Sequence, residues 1–183
     1  MRRGTAARHG DISRFLSRVL RHEPESIGLS LDAQGWARVD ELVERACAHG
    51  THLTRDLVLR VAGMSDKQRF ACDAAGRIRA NHGHTVPIDL GLEPSEPPPI
   101  LFHGTAATSV AAIRAEGLVP GRRQYVHLSA DAVTATSVGQ RRGLPVVLRV
   151  AAGHMWATGF KFMCSASGVW LTSAVPAEFI QFP

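Results

Sequence analysis

Lysine is nearly absent from this 183-residue chain: of its 21 basic side chains only Lys67 and Lys161 are lysines. GC-rich coding accounts for part of such a bias. It also leaves almost all of the positive charge on arginine, a planar, permanently ionised fork that donates hydrogen bonds in pairs. Cysteine is scarce as well. Cys47, Cys72 and Cys164 lie far apart without CxxC spacing, which excludes a disulfide framework and a cysteine zinc site and fits a reducing compartment. No window approaches the roughly 18 apolar residues that a membrane-spanning helix needs. The basic stretch Met1 to Gly10 lacks the apolar run of a secretory signal, so a soluble, cytoplasmic protein is expected, with those ten residues as a mobile arm. GxGxxG and GxxxxGKS/T are both missing, which argues against a Rossmann site and a P-loop.

What is present is a composition able to build a core, with 45% hydrophobic residues, together with a net charge of +5 and a pI near 9.8. Such a balance fits a polyanionic partner. Thr85 to Pro99 holds five prolines, three acidic groups and no basic one, and proline resists both helix and central strand. The stretch reads as a linker between residues 11–84 and 100–183. The segment before it (1–84) carries 14 basic and 10 acidic groups and the segment after it seven and three, about +4 each.

In the first lobe Asp11 is placed to cap a helix whose apolar residues Ile12, Phe15, Leu16, Val19 and Leu20 recur at helical spacing. Pro24 ends it, leaving Arg21 and His22 in a last turn where the helix dipole favours cations. Trp36 to Val39 reads as a strand, Asp40 as a cap, and Glu41 to Ala48 as a helix burying Leu42, Val43, Ala46 and Cys47. Thr54 caps a third helix that ends near Gly63. Gln68 to Cys72 and Arg77 to Ala80 flank the turn Asp73-Ala74-Ala75-Gly76 and suggest a hairpin. Three helices and a two-stranded wing predict a winged-helix lobe, a fold that often binds nucleic acid.

The second lobe is predicted to be α+β with a small curved sheet. Its short apolar runs are Ile100 to Phe102, Tyr125 to Leu128, Val146 to Val150, Phe160 to Met163 and Val169 to Leu171, with helices over Ala106 to Ala115 and Ala130 to Val138. His103-Gly104-Thr105 is placed at a strand-to-helix turn, where glycine lets a ligand approach the backbone. His127-Leu128-Ser129 repeats the arrangement, with Ser129 as a capping serine. Two such turns in one lobe suggest a ligand cleft. His82 and His84 are two apart with no partner cysteine, so no metal pair is expected.

The segments Leu20-Arg21-His22-Glu23-Pro24, Gly35-Trp36, Lys67-Gln68-Arg69-Phe70 and Ile78-Arg79-Ala80-Asn81 with Gly83-His84 form an ordered set. It continues through His103-Gly104-Thr105, Gly117-Leu118, Arg123 before Val126-His127-Leu128-Ser129, Val138-Gly139 with Arg141, and Gly168-Val169-Trp170-Leu171-Thr172. In number, order and spacing the set resembles the RNA 2′-phosphotransferase family, the tRNA 2′-phosphotransferases, from about Asp11 to Phe182.

That resemblance implies a winged-helix lobe joined to a lobe of the NAD-dependent ADP-ribosyltransferase type, working as a monomer without metal. It implies NAD as co-substrate and a tRNA-like RNA bearing a 2′-phosphate as substrate. The 2′-phosphate first attacks the nicotinamide ribose, releasing nicotinamide. The neighbouring ribose hydroxyl then attacks the phosphorus, releasing ADP-ribose 1″,2″-cyclic phosphate and RNA with a plain 2′-OH.

Carried over residue by residue, Arg21, His22, Arg69 and Arg123 are the catalytic positions, and His103, Gly104, Thr105, His127, Ser129 and Arg141 contact NAD. The chemistry of these residue types agrees, because phosphoryl transfer needs positioning and charge neutralisation, and a histidine can exchange a proton near neutral pH. The chain departs from the family at His82, Tyr125, Arg142 and Ser167, none of which is among the four catalytic positions. An ADP-ribosyltransferase acting on terminal phosphates of RNA or DNA, and a non-enzymatic winged-helix binder of nucleic acid, are the other two readings.

Overall fold

A computed structural model describes residues 3–64 and 68–183, with side chains from residue 9 onward. The chain divides into two compact units, Met1–Gly91 and Leu92–Pro183, each α+β with small antiparallel sheets. Among the described residues no helix is long and apolar enough to cross a membrane.

The first unit opens with α1 (Arg3–Arg21), which buries Ile12, Leu16, Val19 and Leu20 in one stripe. Burial of each such side chain contributes roughly 1.5–3 kcal/mol. The helix starts at Arg3, so residues 3–10 of the expected arm are helical and Asp11 is not its cap. Ala6, Ala7 and Arg8 are good helix formers with no proline near them, and Asp11 instead pairs with Arg14 one turn on. A short 3₁₀ turn, Pro24–Ile27, follows and is closed by Gly28 at φ +64°.

Strand β1 (Ala37–Arg38) leads into α2 (Val39–Ala48) and α3 (Arg55–Gly63), and then into β2 (Phe70–Cys72) and β3 (Arg77–Ala80). The sheet order is β1-β3-β2, with Ala37 opposite Ile78 and Phe70 opposite Ala80. Those four residues face the core, and the alternate ones face away. Thr54 caps α3 by accepting the Leu57 amide at 3.3 Å. Asp40 does not cap α2, which begins at Val39; Asp40 instead pairs with Arg55 at 2.6 Å. Cys47 is exposed rather than buried, because Val39, Leu42 and Ala46 fill the inward stripe of that helix.

In the second unit β4 (Leu101–Ala106) pairs along its whole length with β6 (Pro145–Val150), which pairs in turn with β9 (Ile180–Gln181). A second sheet runs β5 (Val126–Leu128), β8 (Trp170–Thr172), β7 (Met163–Cys164). One bridge between Phe102 and Ser129 joins the two sheets, with amide-to-carbonyl distances of 2.8 and 2.7 Å. Around them lie α4 (Val110–Glu116), α5 (Ala132–Gly139) and α6 (Ala152–Ala157). Leu101, Leu128, Leu148, Val150, Met155 and Phe162 form the centre of the core.

Three expectations are corrected here. His103-Gly104-Thr105 is not a strand-to-helix turn but the middle of β4. The strand continues because β6 offers a partner for all six residues, and Gly104 lies where the backbone of α5 packs onto the strand. Ser129 caps nothing; Asp131 caps α5 by accepting the Thr134 amide at 2.7 Å, while the Ser129 backbone pairs with Phe102. Of Phe160 to Met163 only Met163 is in a strand, since Phe162 is fully buried and its carbonyl is held by the Ser95 amide at 2.9 Å.

A Cβ on Gly104 would stand 1.7 Å from the Ala135 carbonyl oxygen, which belongs to helix backbone and has no rotamer to escape into. Gly104→Ala is expected to destabilise the protein by about 3 kcal/mol or more, at the upper end for overpacking. Urea unfolding beside the Gly63→Ala control checks this, since Gly63 has nothing within 4 Å of its Cβ position and no left-handed φ.

Candidate functional site

In the first unit the end of α1 brings Arg21 and His22 to the surface of the core. The His22 and Glu23 amides both donate to the Arg18 carbonyl, at 2.9 and 3.0 Å, and Pro24 stops the helix from continuing. The dipole of a 19-residue helix thus ends at Arg18 and Arg21, with His22 the next residue in the chain.

Arg69 arrives from the other side, just before β2. Gln68, preceding it, has φ +40°, the only positive value at a non-glycine among the described residues, a conformation that costs on the order of 1 kcal/mol. The buried Asn81 side chain donates to the Gln68 carbonyl at 2.5 Å and holds this bend. The Arg69 carbonyl accepts the Asn81 amide at 3.0 Å and Arg21 Nη2 at 3.4 Å. Arg21 therefore crosses the backbone of Arg69 and packs beside Gly83, whose φ of +88° is one that favours glycine. A third strand of contacts comes from Thr85. Its amide donates to the Arg21 carbonyl at 2.9 Å and its hydroxyl lies 3.2 Å from His22 Nδ1. The Arg21 guanidinium thus meets the backbone of Arg69, and the next residue in the chain, His22, is held beside Thr85.

In the second unit His103 on β4 lies next to β5. His103 Nδ1–H donates to the His127 carbonyl at 3.0 Å, and His127 Nδ1–H donates to the Tyr125 carbonyl at 2.9 Å. A carbonyl only accepts, so each Nδ1 carries the hydrogen, and in the neutral ring each Nε2 carries the lone pair. Burial holds His103 below the usual histidine range against the opposing effect of its hydrogen bond, and the charges of Arg142 and Arg123 push it further down. Desolvation of its guanidinium, reinforced by Arg142, likewise lowers Arg123, although much of that side chain is exposed. Arg123 and Arg142 therefore form an electropositive region beside the His103 imidazole. Thr105 is buried on β4 against Gly139, whose Cβ would meet the Thr105 carbonyl at 2.8 Å. Arg141 is exposed in the 3₁₀ turn Gln140–Arg142, and its neighbour Arg142 is the one whose field reaches His103.

Arg77 and Arg79 are spent on structure. Both guanidiniums lie over Trp36, at 5.1 and 4.7 Å from the ring centroid; Arg77 also pairs with Asp73 and Asp32, and Arg79 donates to the Gln34 and Leu90 carbonyls. Sequence reasoning missed Thr85, which reads as the head of a linker, and Arg142, which read only as a replaced histidine. It also gave no role to Asn81 beyond membership of a motif. Spacing carries no signal for Thr85, because its partners lie 63 and 64 residues away.

The model of the family described as RNA 2′-phosphotransferase, Tpt1 / KptA family, matches residues 7–174. A protein of Agrobacterium fabrum, named "Probable RNA 2′-phosphotransferase", is 56% identical over 169 residues, 92% of this chain and 91% of the relative. Proteins of the same name from Streptomyces coelicolor and Burkholderia pseudomallei are each 51% identical over 172 residues; coverage is 94% of both chains for the first, and 93% of this chain and 94% of the relative for the second.

With its folded-state pKa lowered, His103 keeps its neutral ring in the native state where the unfolded chain already takes up a proton. The stability it contributes is present above the unfolded value of about 6.5 and is lost as pH falls through the folded value. An NMR titration of the histidine rings is expected to place His103 below about 6.5, and His103→Gln is expected to flatten the fall in stability on that side of neutrality.

Proposed function

The chain belongs to the RNA 2′-phosphotransferase family, and from that premise we propose that it removes an internal 2′-phosphate from RNA in two NAD-dependent steps. The observation that supports the proposal is the set of part-buried hydrogen bonds that links Arg21, His22 and Arg69 at the end of α1: the Arg21 guanidinium on the Arg69 carbonyl, the His22 ring on Thr85, and the bend before Arg69 held by Asn81. Fixed guanidiniums stabilise the charge that spreads over a phosphoryl group in transfer without reorganising at the moment of reaction. In this reading the first unit is a winged-helix lobe that holds the RNA, and the second is an ADP-ribosyltransferase-like lobe that holds NAD.

The residues of the second unit fit such a ligand. A pyrophosphate is an anion suited to Arg123 and Arg142, and the Nε2 lone pair of His103 is an acceptor for a ribose hydroxyl or an amide. When bound, NAD supplies the electrophilic ribose carbon that bonds to a 2′-phosphate oxygen as its bond to nicotinamide breaks. In the second step the adjacent ribose hydroxyl bonds to phosphorus and the phosphorus–O2′ bond breaks, with the RNA 2′-oxygen taking up a proton. Arg21, Arg69 and Arg123 neutralise charge on the phosphate, and His22 acts as a hydrogen-bond donor or general acid. No step requires a second subunit.

Incubating the full chain with NAD⁺ and a short RNA carrying one internal 2′-phosphate tests the proposal. Nicotinamide, ADP-ribose 1″,2″-cyclic phosphate and RNA with a plain 2′-OH are the expected products. Arg69→Ala is expected to accumulate ADP-ribosylated RNA, its second step slowed on the order of 10²- to 10³-fold. Nicotinamide release without loss of the 2′-phosphate would move the assignment to transfer onto terminal phosphates. No consumption of NAD⁺ and no change in the RNA would overturn the NAD-dependent reading.

A further inference from the structure

The proline-rich stretch from Thr85 to Pro99 has the composition of a tether, yet its first residue is bonded to both members of the Arg21-His22 pair. The Thr85 and Val86 amides donate to the Arg21 carbonyl at 2.9 and 3.3 Å. The Thr85 hydroxyl lies 3.3 Å from the same carbonyl and 3.2 Å from His22 Nδ1. A hydroxyl has a single proton to give, whereas a carbonyl can only accept and an imidazole can do either.

We propose that Thr85 is a positioning residue for His22: its hydroxyl donates to the Arg21 carbonyl and accepts from His22 Nδ1–H, fixing the tautomer and the angle of the ring. Two consequences follow. Proton exchange at His22 is confined to Nε2, which accepts in the neutral ring and donates in the imidazolium. The ring is also held against rotation relative to the Arg21 backbone, by a side chain whose β-branch restricts its own rotamer. Thr85 touches neither the reacting atoms nor the guanidinium of Arg21. It acts through His22, as the orienting partner of a general acid or base does in hydrolytic triads. The effect on rate rests on the phosphotransferase reading above; the tautomer does not.

The test uses the ¹⁵N-labelled full chain with Thr85→Val, which keeps the branched shape and loses the hydroxyl, and Thr85→Ser, which keeps the hydroxyl. Long-range ¹H–¹⁵N spectra, taken at a pH where His22 is neutral, are expected to show the proton on Nδ1 in the parent and in Thr85→Ser, and to lose that pattern in Thr85→Val. In single turnover with NAD⁺ and the 2′-phosphorylated RNA, Thr85→Val is expected to slow the reaction about 10- to 100-fold at saturating substrates with KM little moved, and Thr85→Ser to restore it. A parent spectrum with the proton on Nε2, or a Thr85→Val spectrum like the parent's, overturns the proposal whatever the rates. A changed spectrum with an unchanged rate overturns the positioning role. If the parent itself is inactive on this RNA, the phosphotransferase reading fails, while the parent spectrum still decides whether Thr85 fixes His22.

Discussion

Backbone carbonyls are the shared acceptors around which the candidate site of the first unit is arranged. The Arg21 carbonyl receives two amides and a hydroxyl from Thr85 and Val86, and the Arg69 carbonyl receives the Asn81 amide and the Arg21 guanidinium. Each arginine is fixed at its root by acceptors that carry no net charge. Backbone strain at Gln68 accompanies this arrangement, and the buried Asn81 side chain that bonds its carbonyl holds the bend.

The second unit solves a different problem. His103 and His127 sit on strands, and the carbonyls of His127 and Tyr125 aim their rings. Gly104 and Gly139 let the backbones of β4 and α5 approach until no side chain fits between them. The Phe102–Ser129 bridge brings β5 alongside, and its carbonyl at His127 becomes the acceptor that sets the His103 tautomer. Burial then keeps His103 neutral while Arg123 and Arg142 stay charged nearby. The result is a region that offers cations and neutral acceptors together, a combination matched to a ligand with both phosphates and hydroxyls.

Much of this was legible in the residues, and the pattern of success and failure is physical. Helical spacing located α1, α2 and α3, the Thr54 cap and the hairpin turn from Asp73 to Gly76, because each is decided within a few residues of chain. Three of the misreadings involve partners distant in sequence. Gly104 looked like a loop residue because nothing local shows that β6 extends the strand and α5 presses on it. Asp40 looked like a cap because its partner Arg55 is 15 residues on. Thr85 looked like a linker because its partners are more than 60 residues back. Side chains that matter through non-local hydrogen bonds leave no periodic trace.

The same distinction governs what the basic composition means. A net charge of +5 invites the inference that a polyanion lies along the arginines, but the structure distributes those charges unevenly. Asp11, Glu41, Asp40, Asp32 and Asp73 pair with Arg14, Arg45, Arg55 and Arg77, and Trp36, Phe15 and Phe182 carry Arg77, Arg79, Arg18 and Arg114 on their ring faces. Exposed pairs of this kind contribute little to stability. They do, however, remove their arginines from the reservoir that would release counterions on binding nucleic acid. Under the proposed function, the charge that meets the phosphate is a small set, Arg21 and Arg69 in the first unit and Arg123 in the second. Its value lies in preorganisation rather than in number, as the bond from the Arg21 guanidinium to the Arg69 carbonyl illustrates.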